Sequence, residues 1–136
     1  MTAVSQGEIQ IATESDILLA RRAVREAATQ VGFGATDVTR IVTAASELAR
    51  NTFLYAGRGT MHWTRCELHG REGLELKFVD KGPGIPDISL ALQEGYSTGK
   101  GLGMGLPGAK RLMDDMDIQS APGHGTTITV KKWRKT

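Results

Sequence analysis

A single cysteine, Cys66, occurs in the 136 residues. One thiol excludes a disulfide framework or a cysteine-built zinc cluster within the chain, and it points to a reducing cytoplasm as the natural compartment. Aromatic residues are only 5% of the composition, too few for a platform on which bases stack. Neither charge sign dominates, since 17 Lys and Arg against 15 Asp and Glu leave a net charge of +2. That is far from the basic footprint of a nucleic-acid binder. No apolar run is long enough to cross a bilayer, and the opening MTAVSQGEIQ has no signal-peptide pattern. These absences predict one domain over residues 1–136, with neither nucleic acid nor membrane among its partners. Proline is sparse at 4 residues, whereas glycine reaches 17, most of it clustered in the second half.

The remaining pattern is ordinary for a folded domain, with 40% hydrophobic and 24% charged residues. GEIQIAT (7–13) alternates like a strand. Thr13 and Asp16 have capping-box spacing. They predict a helix from about Glu14 to Val31, with Ile17, Ala20, Val24, Ala27 and Val31 on one face, ended by Gly32 and Gly34. A second helix is predicted from near Thr36 to just before Gly57, burying Val38, Ile41, Val42, Ala45, Leu48, Ala49, Thr52 and Phe53. TMHWTRCEL (60–68) and LELKFVD (74–80) read as neighbouring strands, and PDISLALQEG holds a candidate short helix after Pro86. GLPGAKRLMDDM reads as a helix, DIQSA and TTITVKKW as closing strands around a PGHG turn, and the final KKWRKT as a solubilising basic tail. The order predicts a two-layer α/β (α+β) sandwich, with one mixed β-sheet and helices packed on one face.

Residues 99–108, GKGLGMGLPG, hold five glycines in ten positions. A P-loop would need glycine where Glu94 stands and Ser or Thr where Gly101 stands. Gly103, Gly105 and Gly108 spell G-x-G-x-x-G. No strand leads directly into them, however, and no acidic residue answers them about 20 positions on, so the dinucleotide loop is rejected too. A glycine-rich lid and hinge over a triphosphate remains, and it needs partners elsewhere in the chain.

Three further stretches supply them. Glu47 and Asn51 are four apart and stack on one helical face, which the pattern places opposite the apolar stripe together with Thr43 and Arg40. The bland reading is a solvated polar face. The functional one is an amide oxygen and a carboxylate suited to Mg²⁺ and a polarised hydroxyl. Asp80 opens DKGPGIP, where Asp, Gly and Pro are ordinary strand-exit residues. A carboxylate held there can also accept the exocyclic amine of adenine, with Gly82 and Gly84 admitting the base close to the backbone. Gly101, Gly103 and Gly105 precede a helix whose first N–H groups can hold phosphate. GHGTT (123–127) by itself is a hairpin turn followed by β-branched strand residues.

The order E-x-x-x-N, D-x-G-x-G, G-L-G-x-G, G-T is more specific than any of its members. It resembles the N, G1, G2 and G3 boxes of the GHKL ATP-binding superfamily, which implies a Bergerat-type fold over nearly the whole chain. Within it, SELARNTFLYAG, DKGPGIPDI and GYSTGKGLGMGLPGAKRLMDD resemble the RsbT-type serine/threonine kinases of the bacterial stressosome.

The resemblance implies ATP and Mg²⁺ as cofactors, Asn51 as the Mg²⁺ ligand and Glu47 as the acidic residue that orients or deprotonates the acceptor. It further implies Asp80 as the adenine-reading carboxylate with Thr126 as its helper, Gly82 and Gly84 on the adenine side, and Gly101, Gly103 and Gly105 on the phosphate side. Residues 91–100 become an ATP lid, with Lys100 meeting a phosphate. The implied partners are STAS-domain proteins of the RsbS and RsbR kind, as substrate and sequestering scaffold, and an RsbU-type phosphatase that the released kinase activates. Two alternatives stay open: an anti-sigma factor kinase like RsbW or SpoIIAB, and a nucleotide-gated binding module without transfer. A histidine kinase is disfavoured, because His62, His69 and His124 fall on predicted strands or turns. Arg21, Arg22 and Arg25 read as a solvated helix face, and Cys66 as an inert strand residue.

Overall fold

The computed structural model describes residues 6–85 and 105–135. The elements are β1 (Gln6–Ile11), α1 (Glu14–Val31), α2 (Ala35–Ala56), β2 (Gly59–Leu68), β3 (Arg71–Asp80), α3 (Gly105–Leu112), β4 (Asp115–Ser120) and β5 (Thr126–Trp133). The five strands form one sheet in the order β1-β2-β3-β5-β4. The helices cover one face, as the sequence predicts.

Local chemistry sets the helix ends. The Thr13 hydroxyl accepts from the Asp16 N–H at 3.3 Å, and the Asp16 carboxylate accepts from the Thr13 and Ala12 N–H groups at 3.0 and 2.9 Å. The capping box is therefore complete. Gly32 closes α1 in the left-handed region, donating to the Ala28 and Thr29 carbonyls. Arg21, Arg22 and Arg25 lie on the exposed side of α1.

The two long helices form a hairpin that returns the chain to the end of the sheet it left. Ile11, the last residue of β1, thus lies opposite Gly59, the first of β2. That return makes the β1–β2 pair antiparallel, and the short His69–Gly70 turn does the same for β2 and β3. β5 then inserts between β3 and β4, antiparallel to both. The mixed sheet expected from the sequence is therefore corrected: every pairing among the described residues is antiparallel. The layer architecture holds.

One face of the sheet is apolar and meets the helices. Ile9, Met61, Phe78, Ile128 and Ile118 form one cross-strand row of that face, and Trp63, Leu76, Val130 and Met116 the next. Phe78, Met61, Leu76 and Val130 are buried against Leu48, Ile41 and Val24 of the helices. The outer face carries His62, Lys77, Thr129 and Asp117, the polar alternation of a one-sided antiparallel sheet. Cys66 lies on that outer face, where burial, then Glu75, pushes its thiol up.

Two boundaries differ from the sequence reading. The third helix ends at Leu112 rather than running on through DDM, because the Asp114 N–H donates to the Lys131 carbonyl at 2.9 Å and the chain joins the ladder at Asp115. The closing KKWRKT is no free tail either. Lys132 is 7% exposed, and its ammonium donates to the Leu112 carbonyl at 2.9 Å. The Arg134 N–H donates to the Glu72 carbonyl at 2.8 Å, while its guanidinium joins Arg65 on the Glu72 carboxylate. The alternation that makes β5 a strand carries these basic residues inward to partners. Pro86 and the candidate helix after it lie outside the described residues.

Candidate functional site

At one end of the sheet the apolar rows give way to a polar one. Ile11, Gly59, Asp80, Thr126 and Ser120 follow one another across the five strands, on the helix-facing side. Asp80 and Thr126, 46 positions apart in sequence, are direct cross-strand partners. The carboxylate and the hydroxyl that the resemblance assigns to the adenine side are thus neighbours across two strands.

The surroundings of Asp80 are built from glycines. Its Oδ1 accepts from the Gly82 N–H at 2.8 Å, which aims the carboxylate across the turn. A Cβ on Gly59 would strike the Thr52 methyl, with the Asp80 Cβ at 3.2 Å. A Cβ on Gly82 would stand 2.6 Å from the Ala56 Cβ. The last turns of α2 thus press directly on the strand ends that hold Asp80. Gly84 and Gly125 both have positive φ, and a Cβ on either would meet backbone: the Ala121 carbonyl for Gly84, the Asp80 carbonyl for Gly125. The turn after β3 and the turn before β5 lock together through these approaches and through the Gly123 N–H, which donates to the Pro83 carbonyl at 2.7 Å.

Glu47 and Asn51 sit one turn apart on α2, and Asn51 immediately precedes Thr52, the residue in touch with Gly59. Both are half-buried, at the flank of the buried stripe rather than opposite it. The reason is that α2 is packed by α1 on one side and by α3 on another, so positions the pattern assigns to open solvent become partly enclosed. Exposed Arg50, between them in sequence, marks the outward direction. Neither Glu47 nor Asn51 has an ion pair or side-chain hydrogen bond among the described residues.

Among the described residues, no group of three or more His, Cys, Asp or Glu could hold a metal ion. The available donors are hard oxygens, the Asn51 amide and the Glu47 carboxylate. That set suits Mg²⁺, which is held by few protein ligands and completes its shell with phosphate and water.

Of the phosphate-side glycines, Gly105 opens α3 with positive φ, and Leu106, Pro107, Gly108 and Ala109 behind it are buried against α2. Lys100, Gly101, Gly103 and the lid region 91–100 lie outside the described residues. The polar row and its turn also hold two residues to which the sequence reading gave no role. Ser120 pairs with Thr126 across β4 and β5, and Gly125 touches Asp80. Gly125 was visible as the glycine of the closing G-T in the series of boxes, with no role of its own; Ser120 had no local signal, being one polar residue at a strand end.

A model of the histidine kinase-like ATPase domain matches residues 11–132 of this chain. The chain belongs to that family. The match spans all the boxes quoted from the sequence. The chain is also 48% identical over 128 residues to the serine/threonine-protein kinase RsbT of Bacillus subtilis, covering 94% of this chain and 96% of that protein. An anti-sigma F factor of Oceanobacillus iheyensis is 31% identical over 119 residues, 83% of this chain and 81% of its own length. Another, from a Thermoanaerobacter species, is 28% identical over 119 residues, 84% of this chain and 82% of its own. The resemblance to RsbT-type kinases is borne out, and so is the enzyme class it implies, at the level of a near end-to-end similarity to a serine/threonine kinase. No helix among the described residues is long and apolar enough to cross a membrane.

Proposed function

We propose that this histidine kinase-like ATPase domain is an ATP-dependent serine/threonine protein kinase of a stress-signalling switch. Its substrate is a STAS-domain scaffold protein of the RsbS or RsbR kind. Once released, it binds and activates an RsbU-type phosphatase. What carries the reading is the pairing of Asp80 with Thr126 in a chain similar over 94% of its length to RsbT.

The roles follow from position. Asp80 accepts the adenine amine, Thr126 supports it, and Gly82 and Gly84 let the base approach the backbone. The opening of α3 at Gly105, with Gly101, Gly103 and Lys100 before it, receives the phosphates. Asn51 holds Mg²⁺, whose contribution when bound is to neutralise phosphate charge. Glu47 accepts the proton as the partner's serine or threonine oxygen attacks the γ-phosphorus. The bond to the β–γ bridging oxygen breaks and ADP leaves. Positioning and charge neutralisation supply most of the acceleration.

The test mixes the purified protein with Mg·ATP and STAS-domain proteins and reads intact mass. One added phosphoryl group on serine or threonine of the STAS protein is expected, and Glu47→Ala should lose transfer while keeping ATP binding. ATP binding with no transfer by the parent would refute the kinase. The similarity to anti-sigma F factors favours one alternative, sequestration of a sigma factor. Co-elution with a sigma factor but not with a phosphatase would establish it.

A further inference from the structure

Ser120 touches nothing in the proposed chemistry, yet its hydroxyl is fully engaged. The Oγ accepts from the Ile85 N–H at 2.8 Å, donates to the Gly125 carbonyl at 2.9 Å and meets the Thr126 Oγ1 at 2.8 Å. A serine hydroxyl has one proton, and a carbonyl oxygen can only accept. The Ser120 proton therefore goes to Gly125, and the contact with Thr126 uses the Thr126 proton. One side chain at the end of β4 thus joins the exit of β3 to the start of β5.

The bond to Ile85 matters because of what precedes it. After Asp80 the chain turns through Gly82, Pro83 and Gly84, and this turn is fastened at three points. The Gly82 N–H donates to the Asp80 Oδ1 at 2.8 Å, the Pro83 carbonyl accepts from the Gly123 N–H at 2.7 Å, and the Ile85 N–H donates to Ser120. The first bond is made by the strand end itself and the second by backbone alone. Among the described residues, Ser120 supplies the side-chain bond that reaches the turn from another strand. Beside it the Ile85 side chain packs on the core. Without the hydroxyl, a half-buried N–H has no acceptor, and the strand exit must open to water to satisfy it.

We propose that Ser120 is a positioning residue for nucleotide binding: by holding Ile85 it keeps the Gly82–Gly84 turn formed before ATP arrives. A turn already ordered spares the nucleotide the cost of ordering it on binding. Ser120 therefore sets the affinity for ATP more than the stability of the core. The proposal rests on the adenine-side reading of Asp80, Gly82 and Gly84 given above.

The experiment measures Mg·ATP binding by titration calorimetry, and amide exchange by NMR, in the parent, Ser120→Ala, Ser120→Cys, Ser120→Thr and Asp80→Asn. Ser120→Ala and Ser120→Cys should each weaken ATP binding roughly tenfold. Both should speed exchange at the Ile85 amide while the amides of β2 and of Phe78 keep their parental protection. Ser120→Cys retains a side chain of similar shape with a sulfur that accepts poorly, so it carries the test should the alanine variant fold badly. Ser120→Thr keeps the hydroxyl and should restore both affinity and protection. Parental ATP affinity in the alanine and cysteine variants would overturn the proposal. So would unchanged protection at Ile85, or a loss of affinity that Ser120→Thr does not reverse. Protection lost throughout the core in step with affinity would overturn it too, because that marks a merely structural role. Asp80→Asn separates the two layers. If it leaves ATP binding at the parent level, the adenine-side reading itself fails; if it weakens ATP while the Ser120 variants bind like the parent, only the present proposal fails.

Discussion

Two carboxylates of this domain are tuned by a few hydrogen bonds each. Asp16 is held below the ordinary carboxylate range chiefly by the Ala12 N–H, with the Thr13 groups adding to it. Glu72 is lowered first by its hydrogen bond from Arg65, then by Arg134. Folding therefore favours the ionised forms. Their stabilisation is fully present above the unfolded-state values, about 4 for such groups, and is lost as pH falls through the depressed native ones. Thermal melts of the parent should drop on acidification below about pH 5, and the double variant Asp16→Asn, Glu72→Gln should drop less steeply. Equal slopes would refute the assignment. The same scale shows what one sequence can reveal about a site. Glu47 and Asn51, and Asp80 with its glycines, were legible as candidates because their pattern lies in spacings of two to four residues. Ser120 was not, because its meaning lies in three partners, none of which is its sequence neighbour.

Lys132 decides how the elements around the site fit together. It reaches from β5 to the last carbonyl of α3, 3.6 Å from Asp114 and 4.0 Å from Asp37 at the start of α2. One buried ammonium thus joins the helix that opens at Gly105, the helix that carries Glu47 and Asn51, and the strand that begins at Thr126. Lys132→Met should cost about 2 kcal/mol, the range for a buried bond from a charged donor, as read by urea unfolding. A second element-scale constraint is the interlock of the two turns. Gly125→Ala would put a methyl group into the Asp80 carbonyl at a positive φ. It should lower both the melting temperature and ATP affinity, whereas Gly123→Ala, with open space around the site of its Cβ, should pay only the backbone strain and leave ATP affinity at the parent level. Matching ATP affinities in the two variants would contradict the interlock.

At the scale of the whole molecule, the described residues share one core with the polar row at one end. Phe78, 2% exposed at the centre of that core, lies two residues before Asp80 on the same strand face. Phe78→Ala should destabilise the domain by about 3–5 kcal/mol, and because one core supports every element the loss should appear as one cooperative transition. Two resolved unfolding steps would show that the halves of the sheet are independent. The arrangement also explains how a domain of this size can hold the proposed nucleotide site at its margin: the inner rows provide the stability, which leaves the last row free to carry Asp80, Thr126 and Ser120 instead of apolar side chains.

Helix α1 with its capping box, helix α2 to within a residue at either end, the strand TTITVKKW and the series of boxes were all set by local signals: caps, apolar period and glycine spacing act over a few residues and need no distant partner. The family followed from the same signals in their order. Strand order and direction were decided only in three dimensions. The return of the α1–α2 hairpin places β2 antiparallel to β1, and the insertion of β5 between β3 and β4 brings Thr126 beside Asp80. The half-burial of Glu47 and Asn51 and the inward turn of Lys132 depend likewise on which helix packs where. These are long-range contacts, and their free energy resides in surfaces that exist only once the layers have met.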